Sequence, residues 1–146
     1  MQPTRTSLRV SESPRRQRGL IDTSAVIELD QIDPQQLPQE LAVSALTMAE
    51  LAAGPHATDD VDERARRQDR LQRAEATFDP LTFDGESARA YGRVYAAVVT
   101  VGRRARGPRG VDVLIAATSL AANLPLCTRN SDDFHGLEDL LTIVDL

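Results

Sequence analysis

Hydrophobic and polar positions alternate between two textures along this chain. Short apolar runs read as interior strands: Leu20–Ile21, Leu41 to Leu46, Pro80 to Phe83, Leu124 to Cys127 and Leu141 to Val144. Between them lie stretches with helical spacing. Ala25 to Leu29 could begin a helix after Asp22, with Thr23 and Ser24 as cap-type residues. Thr47 is placed to cap a helix running to about Ala53, which Gly54-Pro55 stops. Asp59 to Phe78 has acids leading, arginines following and sparse apolar positions, which predicts a salt-bridged surface helix. Asp84 caps a further helix whose Ala88, Tyr91, Tyr95 and Val98 share a stripe, with Gly102 as its stop. From Val111 onward apolar and small residues crowd every face, as in a helix buried on nearly all sides, until Asn123 and Pro125 end it. Strands alternating with helices predict an α/β domain with a mainly parallel sheet covered on both faces.

Charge matters most where it interrupts this pattern. Asp22 is the only charged residue between Gly19 and Ile27, Glu50 between Leu41 and Pro55, and Asp112 between Val111 and Thr128. Two have a plain structural account, an N-cap for Asp22 and a capping box with Thr47 for Glu50, whereas a lone carboxylate at the head of a buried helix, as at Asp112, is costly without a positive partner. Neither account explains why the surroundings are otherwise uncharged. Asp132 and Asp133 follow the strand that ends near Thr128. In a parallel sheet, strand carboxyl ends and the following helix N-termini gather on one edge, where ligands bind. The four positions therefore converge on one acidic pocket. Carboxylates within ~4–6 Å of one another raise each other's pKa, a conflict that a divalent cation removes.

Composition narrows the chemistry. The 146 residues suit one domain, and all 17 basic residues are arginine. Without lysine, a P-loop and a phosphoacceptor receiver site are excluded. Two histidines, His56 and His135, are too few for a His-rich zinc or iron site, so a metal here would be a hard cation, Mg²⁺ or Mn²⁺. The single Cys127 rules out a disulfide framework and fits a cytoplasmic protein. No membrane-spanning run or secretory signal is present, so no membrane partner is expected. Residues 1–18 carry five arginines and one glutamate (net +4) and read as a disordered basic tail, leaving −9 on residues 19–146. Arg103, Arg104, Arg106 and Arg109 form a basic loop leading into Asp112. Together with Arg129 they predict a local basic rim, with Arg109 and Arg129 as phosphate contacts.

The segments LIDTSAVI, TMAELAAG, VDVLIAATSLAANLPLCTRN and the following DDF resemble the conserved blocks of PIN-domain ribonucleases, and most of all the VapC toxins of bacterial VapBC toxin–antitoxin pairs. The resemblance runs from about Gly19 to the end of the chain. It implies a three-layer α/β/α PIN-like fold over residues 19–146. It also implies Mg²⁺-dependent (or Mn²⁺-dependent) cleavage of transfer or ribosomal RNA, and a VapB-type antitoxin partner through which DNA would be bound. A homodimer is expected. Asp22, Glu50 and Asp112 match the family's first three acids. The position after Thr-Arg, often acidic in relatives, is Asn130 here, so the fourth role passes to Asp132, with Asp133 as the alternative. Thr23, Ser24 and Asn130 would support the site by hydrogen bonding. The competing expectation is a non-catalytic PIN module acting mainly within an antitoxin–DNA regulatory complex.

Overall fold

The computed structural model describes residues 15–102 and 110–146. The predicted tail up to residue 14 and the loop arginines Arg103, Arg104, Arg106 and Arg109 lie outside the described residues. Four strands form one parallel sheet: β1 (Arg18–Ile21), β2 (Glu40–Ala42), β3 (Leu126–Thr128) and β4 (Ile143–Asp145), in the order β2-β1-β3-β4. Five α-helices surround it: α1 (Thr23–Ile27), α2 (Ala45–Ala53), α3 (Val61–Thr77), α4 (Gly85–Thr100) and α5 (Gly110–Ala121).

Period-two alternation in the strands sorts the core into two halves. Leu20, Ala42 and Leu126 face α4 and α5, joining Val94, Val98, Val113, Ile115 and Phe134. Their neighbours Ile21, Val43 and Cys127 face the other side and pack with Ala25, Val26, Leu51 and Ala74 of α1, α2 and α3. The expected α/β/α layering follows directly from these paired residues.

Several boundaries differ from the sequence expectation. β1 starts at Arg18, and residues 15–18 are already part of the fold: Arg15 Nε donates to Leu37 O at 3.1 Å, and the Arg16 and Gln17 carbonyls accept from Gln39 and Glu40. The second strand ends at Ala42, because Ser44 rather than Thr47 caps α2, its hydroxyl accepting from Leu46 N at 3.0 Å. The Thr47–Glu50 capping box is therefore wrong, and Glu50 stands in the second turn of α2. The run at Pro80–Phe83 reduces to a single parallel bridge between Leu81 and Ser44. In α4 the buried stripe is Ser87, Ala90, Val94 and Val98, with Tyr91 and Tyr95 at its margin and Ala88 exposed. The α3 surface helix, the Gly102 stop (φ +77°) and the left-handed Asn123 (φ 55°) after α5 match expectation.

Candidate active site

The strand order places a topological switch between β1 and β3, since the connection from β1 runs to β2 on one side and that from β3 to β4 on the other. Ligands bind such sheets outside the carboxyl ends at that switch. Asp22 follows β1 there, and Thr128 ends β3 beside it. The two strands are held together at this point by Asp22 N donating to Cys127 O at 3.2 Å.

Asp22 is only 4% exposed, unusual for a carboxylate with no ion pair among the described residues. Its Oδ1 accepts from Ser24 Oγ at 2.9 Å and from Ala25 N at 3.0 Å, so the N-cap geometry is real. Its Oδ2 accepts from Thr128 Oγ1 at 2.7 Å. Thr128 Oγ1 in turn accepts from Asn130 N at 2.9 Å, which fixes the direction of its proton toward Asp22. Burial raises the Asp22 pKa above the ordinary carboxylate value; the bonds from Thr128, Ala25 and Ser24 oppose this, and the Asp133 charge adds to it. The sequence offers Thr47 only as a helix cap and Thr128 only as a strand end, with no role for either at the site. The available signal was a hydroxyl at the carboxyl end of an interior strand, directly across from Asp22.

Glu50 joins the site through Thr23. The Thr23 hydroxyl donates to Glu50 Oε1 and shares a 3.1 Å hydrogen bond with the buried Thr47 hydroxyl. One peptide unit therefore links the Asp22 and Glu50 carboxylates. Asp112 lies half-buried in the first turn of α5. Because α5 leads into β3, it runs antiparallel to the strand and its first turn falls toward the sheet's carboxyl edge; α5 as a whole contacts α2 and the 3₁₀ turn Ser131–Phe134.

That 3₁₀ turn holds both remaining acids. Asp132 is exposed, whereas Asp133 is half-buried and is the one whose charge bears on Asp22. Asn130 supports the site through its backbone N–H. Arg129 is paired with Glu28, Nη2 to Oε2 at 3.3 Å, and so is engaged on the protein itself. Arg109 is among the residues not described.

Among the described residues, no three Asp, Glu, His or Cys side chains are grouped closely enough to form a finished metal cage. The donor chemistry still suits a hard divalent cation. Mg²⁺ characteristically takes one or two carboxylates and keeps several waters, rather than filling an all-protein shell. A buried, pre-oriented aspartate whose ionisation is disfavoured by burial and by a neighbouring acid offers such a ligand.

Comparison with known proteins identifies the family and the fold. The family model described as PIN domain matches residues 19–140. Ribonuclease VapC5 of Mycobacterium tuberculosis is 32% identical over 128 residues, covering 86% of this chain and 91% of that protein. The crystal structure of a member of the VapBC family, VapBC-5 from the same organism, superposes with a TM-score of 0.78 over 89% of this chain and 99% of that one, at 32% identity. VapBC2 from Rickettsia felis, solved bound to a promoter DNA fragment, shares the fold with a TM-score of 0.68 at 18% identity, covering 88% of this chain and 98% of that one. The chain belongs to the PIN-domain family and, within it, to the VapC toxins of the VapBC systems.

Proposed function

We propose that this chain is a metal-dependent endoribonuclease toxin that cleaves phosphodiester bonds in structured RNA, of the transfer or ribosomal kind. The observation that carries the reading is Asp22, buried at the β1/β3 switch with both oxygens held by hydroxyls, in a chain 32% identical to a named ribonuclease. Asp22 and Asp112 would be the principal ligands of Mg²⁺, with Mn²⁺ as a substitute. Glu50 and an acid from the Asp132–Asp133 pair would complete the shell directly or through water. Asp133 is the better placed of that pair, since its charge reaches Asp22.

When bound, the cation lowers the pKa of a water and stabilises charge on the phosphodiester. The protein's own part is orientation. Ser24 and Thr128 hold the Asp22 carboxylate against rotation. Thr23 occupies Oε1 of Glu50, leaving Oε2 to accept a proton or a hydrogen bond from the attacking water. Arg129 would contact RNA by exchanging its Glu28 partner for a phosphate.

A VapB-type antitoxin is the proposed partner, because the structural relatives were solved as VapBC complexes, and DNA would be met only through that complex. The toxin itself is proposed to be a homodimer in the cytoplasm; among the described residues, no helix is long and apolar enough to cross a membrane. A relative solved on its promoter DNA keeps one second reading in view, a non-catalytic module acting within the antitoxin–DNA complex. Purified protein freed of antitoxin separates the two. RNA cleavage that requires Mg²⁺ and stops with EDTA is expected. Asp112→Asn should abolish cleavage and growth inhibition while leaving the circular dichroism spectrum unchanged. Full activity in that variant would sink the assignment.

A further inference from the structure

Helix α3 reads from sequence as a solvated, salt-bridged surface, and most of its arginines fit that reading. Arg66 and Arg67 pair with Glu63 at 2.9 and 2.8 Å, and Arg67 also donates to Gly54 O. Arg73 pairs with Asp69 at 3.1 Å and with Asp30 at 3.8 Å, and Arg64 donates to the Pro55 and Thr58 carbonyls. Arg70 is different. Half-buried in the middle of the helix, it makes no ion pair or side-chain hydrogen bond among the described residues.

Its position gives this meaning. Two adjoining grooves, with volumes of about 400 and 340 Å³, run between α3 and the α1–α2 side of the domain. Arg70 and Ile27 line both. One groove contains Thr23 and Glu50, so it opens onto the candidate active site. The other continues past Glu28 and Asp30 to Phe78. The acids along this path are already matched: Glu63 by Arg66 and Arg67, Asp30 by Arg73, and Glu28 by Arg129. Glu50, the acid of the proposed metal site, is the exception. The groups along the path with no ion pair among the described residues are therefore the Glu50 carboxylate, reserved for the proposed metal, and the Arg70 guanidinium, the one lining arginine not spent on a protein acid. A domain with net charge −9 over residues 19–146 repels RNA in general, so productive contacts must come from local, unspent cations.

We infer that Arg70 is an RNA-backbone contact that seats a phosphate flanking the scissile bond in the α1–α3 groove. The inference rests on the nuclease reading above and adds a binding path to it. Arginine suits the role because its planar fork can donate two parallel hydrogen bonds to one phosphate.

The test uses the full chain carrying Asp112→Asn to silence cleavage, with a bulk transfer RNA preparation as probe and KCl varied from about 50 to 200 mM. Arg70→Gln should weaken binding roughly 5- to 20-fold and reduce the slope of log affinity against log salt by about 0.7–0.9, the value for one phosphate contact. Arg70→Lys should retain the slope, which separates lost charge from a folding defect. Arg66→Gln, on the same helix but outside both grooves, should leave the slope unchanged. An unchanged slope in Arg70→Gln, or an equal loss in Arg66→Gln, overturns the inference. So does an Arg70→Gln variant that binds RNA normally but loses affinity for its antitoxin, since the guanidinium would then serve a protein carboxylate. A parent chain that binds the probe without cleaving it under Mg²⁺ counts against the nuclease reading alone, because the Arg70 readout is binding.

Discussion

Thr128→Val removes one hydroxyl and leaves the shape of a fully buried side chain nearly intact. Two bonds disappear with it, the 2.7 Å bond to Asp22 Oδ2 and the 2.9 Å bond from Asn130 N. Asn130 is exposed, so its N–H can turn to water at little cost. Asp22 cannot, and a hydrogen bond to a charged group contributes about 1.5–3 kcal/mol. We therefore expect a loss of about 2 kcal/mol in urea unfolding at pH 7.5. The loss should shrink with pH. Burial already holds the Asp22 pKa above its ordinary value, and removal of the Thr128 donor raises it further. The penalty belongs to the ionised form: it is full above the folded pKa of the variant, fades as pH falls from there to that of the parent, and is gone below it. Parallel urea titrations near neutrality and near pH 4 measure this. A difference below about 0.5 kcal/mol at neutral pH, or one equally large at both, would refute the argument that Thr128 acts through the Asp22 charge.

Three further outcomes follow from the same geometry. An acid whose folded pKa is raised binds more protons folded than unfolded, so Asp22 makes the metal-free protein less stable as pH rises from the ordinary carboxylate value through its folded pKa. Mg²⁺ or Mn²⁺ should thus raise Tm more at pH 7.5 than at pH 4.5, and equal shifts in a thermal melt would contradict this. The Cys127 thiol is fully buried and pushed up to about 11, chiefly by burial, so a disulfide reagent at pH 8 should label it only after unfolding. Gly19→Ala would put a Cβ 2.8 Å from Pro38 Cγ and 3.0 Å from Cys127 Sγ, in a strand with no room to yield. A loss of about 1–3 kcal/mol in denaturant melts is expected, and a neutral result would mean that Pro38 moves freely.

Much of this architecture is written locally. Interior strands with paired opposite-facing residues, and helices closed by Gly102 and Asn123, announce themselves through periodicity and backbone preference. Asp22, Glu50 and Asp112 stood out because each interrupts an uncharged segment. What local pattern could not supply was position in three dimensions. Thr47 looked like a cap because it follows an apolar run, whereas Ser44 takes that place once the sheet ends early. Thr128 looked like the last residue of a strand, and its importance depends on a partner 106 residues away. Asp132 and Asp133 are indistinguishable by spacing, and only the 3₁₀ turn makes one exposed and the other half-buried. Arg70 vanished into an arginine-rich helix whose other members find partners. Its lack of one among the described residues is visible only when the whole face is assembled.

The bond between Asp22 and Thr128 also governs when in the life of a polypeptide the site can exist. β1 sits at the centre of the sheet but is made early, and its neighbour β3 is synthesised only after all five of the described α-helices. Pairing so distant in sequence forms late and slowly, because loop closure must come first. A nascent or truncated chain that ends before Thr128 can fold α3 and α4 locally yet lacks the strand that orients Asp22. If Asp22 holds the metal as proposed, that order of assembly leaves an unfinished chain without an oriented site, and the completed chain is the first species an inhibitor would have to catch.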